Sequence, residues 1–181
     1  MSRKLFYSRI LVFFALLPCL TIPFYSQENV SRNNKFRDST AQIAQLVKAG
    51  EELRIEGEYE EAILQYEKAA FLSKRTANEE MESASLQKLG VLYWNIGKLK
   101  ESSSAYAQSL AIAQKLKLKE RQGLCLDALK IHDYYQKAKD FRSSGDYKKS
   151  IENFQNAIGL AKKIDSKEHE LKCLRQLSLD Y

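Results

Sequence analysis

The stretch LGVLYWNIGKLKESSSAYAQS, residues 89–109, consists of two helix-like segments joined at a glycine. After Gly97, a small residue, an aromatic residue and another small residue follow at positions +5, +9 and +12. The same arrangement follows Gly57 and Gly145. Self-similarity at a spacing of a few dozen residues is typical of a protein built from structural repeats. The three sets are Ala62, Tyr66 and Ala69; Ser102, Tyr106 and Ser109; and Ser150, Phe154 and Ala157.

The intervals between the turn glycines predict the lengths of the helices. Both prolines lie near the N-terminus, so no later proline prevents a helix from running from turn to turn. The interval from Gly97 to Gly145 is longer than the interval from Gly57 to Gly97 by eight positions. Eight residues make about two turns at 3.6 residues per turn. We therefore expect one long helix between Lys119 and Ser144.

The N-terminal residues have the composition of a targeting segment. Arg3, Lys4 and Arg9 precede an apolar run at residues 10–17. Positive residues followed by an apolar stretch of this length are typical of a secretory signal peptide, whereas a membrane span needs about 20 apolar residues. We predict a signal peptide at residues 1–26 and an exported protein, periplasmic or secreted. An uncleaved N-terminal anchor that tethers the protein to a membrane is the alternative.

A polar linker and a repeat domain are predicted after the signal peptide. Residues 27–38 are polar and lack apolar periodicity, which indicates a linker. Ser39 or Thr40 can then cap the first helix of a domain at residues 39–181, with three helix pairs and the first helix of a fourth. Aligning the end of the chain with the second repeat places Tyr181 in the middle of a helix. We therefore expect the N-terminal part of a larger exported protein; a complete chain with an unusual end is the alternative.

The charge of the chain does not indicate nucleic-acid binding. The formal charge is +6, and residues 1–26 contribute three cations and no acids, so the mature chain would carry 6 − 3 = +3. That charge is too small to indicate binding to nucleic acid or to an anionic membrane surface. We expect no nucleic-acid partner and no membrane insertion of the mature domain.

The cysteines and histidines give no pattern of a chemical site. When the repeats are aligned, Cys125 and Cys173 fall at the position of Ser85, which is occupied by a small residue in each of these repeats. Equivalent positions in stacked helices lie about 8–10 Å apart, beyond normal disulfide reach, so we expect free thiols. His132 and His169 are isolated, and neither metal-ligand spacing nor a cysteine–histidine nucleophile is present. No metal, cofactor or catalytic residue is predicted.

These repeats resemble the tetratricopeptide repeat. Residues 89–109 are similar to the family's packing signature at the positions quoted above, and residues 57–62 are similar to its helix-turn-helix junction. The third copy departs from the signature, because Lys137-Ala138 stands in place of Leu-Gly. The resemblance covers roughly residues 40–181, and the spacing of about 40 residues is that of the longer-helix variety. It implies an all-α fold, a right-handed α-solenoid of antiparallel helix pairs, with the signature residues in the core.

The resemblance also implies a binding function. In such solenoids the first helix of each pair usually lines the concave face, where partners dock. We expect a non-catalytic scaffold that binds a peptide or protein segment in this groove. Trp94 and Tyr135 would be aromatic anchors, and Arg54 and Arg142 would hold carboxylates of the partner. The groove candidates are Lys48, Glu51, Arg54, Lys88, Val91, Trp94, Asn95, His132, Tyr135, Lys139 and Arg142.

Other interpretations stay open at this point. Trp94 can instead pack against the elongated neighbouring helix, with the basic residues in solvent. The chain can also be the recognition or regulatory arm of a larger enzyme or signalling protein, such as a CHAT-type protease or a sensor kinase. Its catalytic domain would then lie beyond residue 181. As a separate expectation, the open C-terminal repeat would allow self-association. Val47 and Glu51 occupy positions where chaperone-tail-binding members carry a carboxylate clamp, so binding of that peptide class is not expected.

Overall fold

The computed structural model describes the backbone of residues 22–180 and the side chains of residues 37–180. Residues 1–21, which make up most of the predicted signal peptide, and Tyr181 lie outside the described residues. Residues Gln42–Tyr181 form one compact unit, and the residues before Gln42 belong to a second unit. The described part contains helices and no strand. The helices are α1 (Ile22–Glu56), α2 (Tyr59–Arg75), α3 (Glu79–Asn95), α4 (Leu99–Lys115), α5 (Lys119–Ser143), α6 (Tyr147–Lys163) and α7 (Lys167–Leu177).

Helix α1 begins well before the predicted cap. It starts at Ile22, so residues 27–38, the predicted polar linker, are helical, and neither Ser39 nor Thr40 begins the helix. Glutamine, glutamate, lysine and arginine in this stretch are good helix formers, and no glycine or proline interrupts it. A missing apolar stripe indicates that a segment does not pack on a core. It does not exclude a helix.

Left-handed glycines reverse the chain within each helix pair. Gly57, Gly97 and Gly145 have φ angles of +88°, +82° and +80°. A side chain in this conformation costs about 1–2 kcal/mol. At the first turn, the Glu58 N–H donates to the Leu53 carbonyl at 2.9 Å, which is the wrapping bond of a Schellman motif. The glycine spacing that reveals the repeats therefore reflects a backbone requirement of the turn.

The turns between pairs use left-handed residues other than glycine. Ala77, Lys117 and Asp165 have φ angles of +55°, +58° and +51°. The interval from Lys117 to Asp165 is again eight positions longer than the interval from Ala77 to Lys117. The repeat therefore continues through both kinds of turn, although the second kind leaves no glycine in the sequence to mark it.

The helix lengths confirm the predicted long helix. Helix α5 has 25 residues, whereas α2, α3, α4 and α6 have 17 residues each. This excess equals the difference between the two glycine intervals. The final helix starts after Ser166 and ends at Leu177, so the chain leaves the helix before residue 181.

Close approach of helices within a pair depends on glycine facing an aromatic ring. A Cβ added to Gly90 would lie 2.7 Å from the Tyr106 ring, and one added to Gly50 would lie 2.8 Å from the Tyr66 ring. In the third pair, the equivalent residues Ala138 and Phe154 are both buried in one cluster. The prediction that signature residues form the core is confirmed. The nine buried positions are Ala62, Tyr66, Ala69, Ser102, Tyr106, Ser109, Ser150, Phe154 and Ala157.

The two aligned cysteines are buried free thiols, as predicted. Ser85, Cys125 and Cys173 are all buried, which fits their equivalent positions in α3, α5 and α7. Burial raises the pKa of the Cys173 thiol to about 12. Both cysteines therefore act as small packing groups.

Candidate binding face of the first helices

The predicted groove residues lie on α1, α3 and α5, the first helices of the three pairs. We call the surface of these three helices the first-helix face. Residues 166–180, which include α7, are called the C-terminal segment. This segment bonds to all three helices, through Arg54 of α1, Trp94 of α3 and Arg142 of α5. The face is therefore covered, over these residues, by the chain itself.

Trp94 is a packing residue, with 0% of its surface exposed. Its ring stacks on His169 at a centroid distance of 4.6 Å and meets Tyr135 edge-on at 4.9 Å. The indole Nε1 donates to the Glu168 carbonyl at 3.3 Å. Lys172 donates to the Trp94 carbonyl and holds its Nζ 5.4 Å from the centre of the indole ring. The open interpretation in which Trp94 packs against α5 is supported, and α7 completes the enclosure.

His132 and Tyr135 are also buried, so neither offers an open contact to a partner. The two ring nitrogens of His132 lie 3.1 Å from Ser102 Oγ and 2.9 Å from Ser103 Oγ. Ser102 is fully buried and donates to the Gly90 carbonyl at 2.6 Å. This serine–histidine pair is therefore structural. Periodicity places aromatic residues on a helix, but it does not show which later helix covers them.

Arg54 holds two carboxylates at the end of α1. Its guanidinium lies 3.0 Å from Glu168 Oε1 and 2.7 Å from Glu51 Oε1. Glu51 also accepts a hydrogen bond of 2.9 Å from the Tyr66 hydroxyl and lies 3.5 Å from Lys88 Nζ. The hydrogen bond from Arg54 is the largest cause that lowers the pKa of Glu51 to about 2. Glu51 therefore remains ionised over the ordinary pH range.

Arg142 holds a second carboxylate near the other end of the C-terminal segment. It donates to the Asp180 carboxylate and, at 2.9 Å, to Gln176 Oε1. Its guanidinium lies 5.0 Å from the centre of the Phe154 ring. The Asp180 carboxylate is buried, accepts a hydrogen bond of 2.6 Å from Ser150, and has its pKa lowered by Arg142. Arg54 and Arg142 thus bind carboxylates, and the carboxylates belong to the same chain.

The remaining predicted residues are accessible. The Lys48 side chain is 78% exposed and lies 3.6 Å from Glu52. Lys139 is exposed, and Lys88 and Asn95 are half-buried. Asn95 lines a pocket of about 250 Å³ beside α7. A second pocket, of about 190 Å³, is lined by the predicted residues Arg54, Lys88 and Val91 together with Gln87, Tyr106, Leu124, Ile164, Asp165, Ser166 and Glu168.

Sequence reasoning missed the residues of α7 that complete this face. Glu168, His169 and Lys172 contact Arg54 or Trp94, but alignment placed α7 as one more first helix. No pattern in the sequence indicates that α7 reaches back to α1 and α3.

Within the described residues, no group of three or more histidine, cysteine, aspartate or glutamate side chains is placed to hold a metal ion. No helix in that part of the chain is both long enough and apolar enough to cross a membrane.

Comparison with protein families matches residues 83–116 to a tetratricopeptide repeat. This match covers all of α4 and most of α3, and it contains the stretch from which the repeats were identified. A comparison with curated proteins finds no match to the chain.

Proposed function

The chain contains a tetratricopeptide repeat within an all-α solenoid of that type, and from this premise we propose that it is a non-catalytic scaffold for another protein. Tetratricopeptide repeats generally mediate protein–protein interaction. We place the binding site on the first-helix face, which corresponds to the concave groove of such solenoids. The partner is a peptide or protein segment with acidic side chains.

The presence of two arginines that hold carboxylates carries this proposal. Arg54 and Arg142 lie on different helices of the face, and each pairs with a carboxylate. Lys48, Lys88 and Lys139 add positive charge on the three helices of the face. Arginine binds carboxylates through a fixed fork of donors, which gives geometric selectivity in addition to attraction. A partner with acidic residues is therefore favoured over a basic one.

The same face would serve a recognition arm of a larger enzyme or signalling protein. A non-catalytic role for the described residues is supported by the burial of Ser102 and His132, because a nucleophile and its base must reach a substrate. Exposed leucines on α7, Leu171 and Leu174, support self-association as an additional property. Substituting lysine for both leucines should abolish any dimer seen by sedimentation, and an unchanged dimer would contradict this assignment.

Export of the protein is also part of the proposal, and it is supported by the composition of residues 1–26. Expression followed by cell fractionation and N-terminal sequencing tests it. A mature protein outside the cytoplasm that lacks the apolar run is expected. A cytoplasmic protein that keeps its first residues would contradict export, and a membrane-bound one that keeps them would support the uncleaved anchor.

Selection from a displayed peptide library tests the binding site. The native chain is expected to enrich peptides with aspartate or glutamate. A variant that combines Lys48→Glu, Lys88→Glu and Lys139→Glu should bind the enriched peptides with about tenfold lower affinity. Each exposed charge pair contributes about 0.2–1 kcal/mol. Lys68→Glu, an exposed charge change on α2, is the control and should leave binding unchanged. Equal binding by the triple variant and the native chain would contradict the site.

A further inference from the structure

We propose that the C-terminal segment, residues 166–180, occupies the site of the partner, and that the partner is a helical segment carrying the same two carboxylates. This inference rests on the function proposed above and specifies the partner. The segment then acts as a built-in competitor, and a partner binds by displacing it from Arg54, Trp94 and Arg142.

The C-terminal segment packs against α6 as the next repeat of a solenoid would, but its further contacts differ from ordinary stacking between repeats. In a solenoid, each repeat contacts only its neighbours. Helix α7 belongs to the fourth pair, yet Glu168 pairs with Arg54 of the first pair. Trp94 of the second pair donates to the Glu168 carbonyl and stacks on His169. The segment thus crosses several first helices, as an external ligand would.

Helix α7 is also the least embedded helix for which side chains are fully described. It buries two residues, His169 and Cys173. By comparison, α2, α4 and α6 bury five each, and α3 and α5 bury seven each. Leu171 and Leu174 on α7 are 63% and 42% exposed. Elements with few buried apolar contacts open at the lowest free energy, so this segment is the one that a competitor displaces most readily.

The segment is held with one polar atom that the site does not satisfy, the Nε2 of His169. His169 is fully buried, and its Nε2 has no hydrogen-bond partner among the described residues. Lys172 is desolvated against the Trp94 ring, which lowers its pKa. An unsatisfied buried polar atom is unfavourable for docking. A ligand with a phenyl ring in place of the imidazole keeps the stacking and avoids the orphan nitrogen.

These contacts define the chemistry of the partner. It carries a carboxylate for Arg54, an aromatic ring at the next position for Trp94, and a second carboxylate for Arg142. In the chain itself the two carboxylates belong to Glu168 and Asp180, which are twelve positions apart. The partner is therefore an acidic amphipathic segment whose two carboxylates have a similar separation, the first on a helix and the second just after its end, as Asp180 follows α7.

Binding of a synthetic peptide tests the inference. The probe is a fluorescein-labelled peptide of residues 166–180 with His169→Phe. The full chain is compared with a Glu168→Gln, Asp180→Asn variant, in which the built-in segment has lost both carboxylates. A Glu60→Gln, Glu152→Gln variant makes the same charge change at exposed positions on α2 and α6. Fluorescence anisotropy reports the dissociation constant.

The probe should bind the Glu168→Gln, Asp180→Asn chain at least about tenfold more tightly than it binds the native or control chain. A probe that lacks both carboxylates should not bind. Equal affinity for the native and variant chains, or no binding to either, would overturn the inference. A dimer of the variant that exchanges its C-terminal segments would overturn it too, because the occupant would then be a second copy.

Hydrogen exchange tests the inference if the variant does not fold, and library selection separates this inference from the proposed function. If the variant is unfolded by circular dichroism, hydrogen exchange is measured on the native chain with excess probe. Faster exchange of the α7 amides with the probe supports displacement, and unchanged exchange contradicts it. The function proposed above fails separately, because it requires that library selection with the native chain enrich acidic peptides. If acidic peptides are enriched but bind the native chain and the Glu168→Gln, Asp180→Asn chain equally, the proposed function stands and only the inference of a built-in competitor fails.

Discussion

Arg54 on α1 and Glu168 on α7 form an ion pair of 3.0 Å although they are 114 residues apart in the chain. The pair joins the first helix of the repeat domain to the last. A solenoid held only by stacking of neighbours does not need this contact. The pair therefore indicates that α7 is positioned by the first-helix face as well as by its packing against α6.

Arg54→Gln should lower the free energy of unfolding by about 1 kcal/mol. Only 26% of the Arg54 side chain is exposed, so its bonds to Glu51 and Glu168 are stronger than those of a surface pair. Urea denaturation is the measurement. Lys48→Gln, which removes an exposed pair with Glu52, is the control and should change stability by less than about 0.5 kcal/mol. Equal effects of the two substitutions would contradict the packing of Arg54.

Trp94→Ala should destabilise the fold by about 3–5 kcal/mol, as expected when a buried tryptophan is truncated. An anchor in an open groove would change stability only slightly, by about 0.5 kcal/mol or less. Thermal or urea unfolding separates these outcomes. Tyr147→Ala removes an aromatic residue that is 55% exposed on α6 and serves as the control. A folded Trp94→Ala variant of nearly native stability would refute the burial of this residue.

Two glycines in helices should respond to alanine in opposite directions. Gly90→Ala places a Cβ 2.7 Å from the Tyr106 ring and should cost about 1–3 kcal/mol through overpacking. Gly123 has no atom within 4 Å of an added Cβ, so Gly123→Ala should stabilise α5 by about 0.5–1 kcal/mol. Midpoints of urea unfolding give both values. The same sign for both substitutions would contradict the close approach of α3 and α4.

Acidification should weaken the fold through the histidines around Trp94. Their ring centroids lie 5.9 Å apart. Desolvation lowers the pKa of His132 to about 4 and that of His169 to about 3. Lys172 disfavours protonation of both rings, and the carboxylate of nearby Glu168 is paired with Arg54.

Because these folded-state pKa values lie below the unfolded value near 6.5, the unfolded chain binds more protons. The contribution of the two neutral histidines to the free energy of unfolding is therefore fully present above pH 6.5. It decreases as the pH falls towards 4. Each histidine contributes up to about 1.4 kcal/mol per pH unit in this window. Unfolding free energies at pH 7, 6 and 5 test the slope, and His169→Phe should reduce it. A stability that is constant or higher at pH 5 would show that the rings are not buried in neutral form.

Much of the fold follows from local rules. A glycine that must adopt a positive φ marks each turn within a pair, and the eight-residue excess between Gly97 and Gly145 determines the length of α5. Small and aromatic residues at fixed distances after these glycines predict the core correctly. Local conformation and packing between adjacent helices are enough for these features.

Other features depend on long-range contacts or on permissive residues. The N-terminal part of α1 lacks an apolar stripe, so its helix was not predicted. Ala77, Lys117 and Asp165 adopt left-handed conformations that glycine would have revealed. The burial of Trp94 depends on α7, whose return to α1 and α3 is a matter of tertiary geometry. The sequence placed the arginines on the correct helices, but it did not show that Glu168 and Asp180 already hold them.

The single tryptophan of the chain gives the most direct test of the central claim. In the native chain Trp94 is enclosed by His169 and Tyr135, so its emission should lie at short wavelength. The Glu168→Gln, Asp180→Asn chain should emit at longer wavelength, and saturating His169→Phe peptide should return the emission towards the native value. Identical emission from the native chain, the folded variant and the variant with peptide would contradict a displaceable segment over the first-helix face.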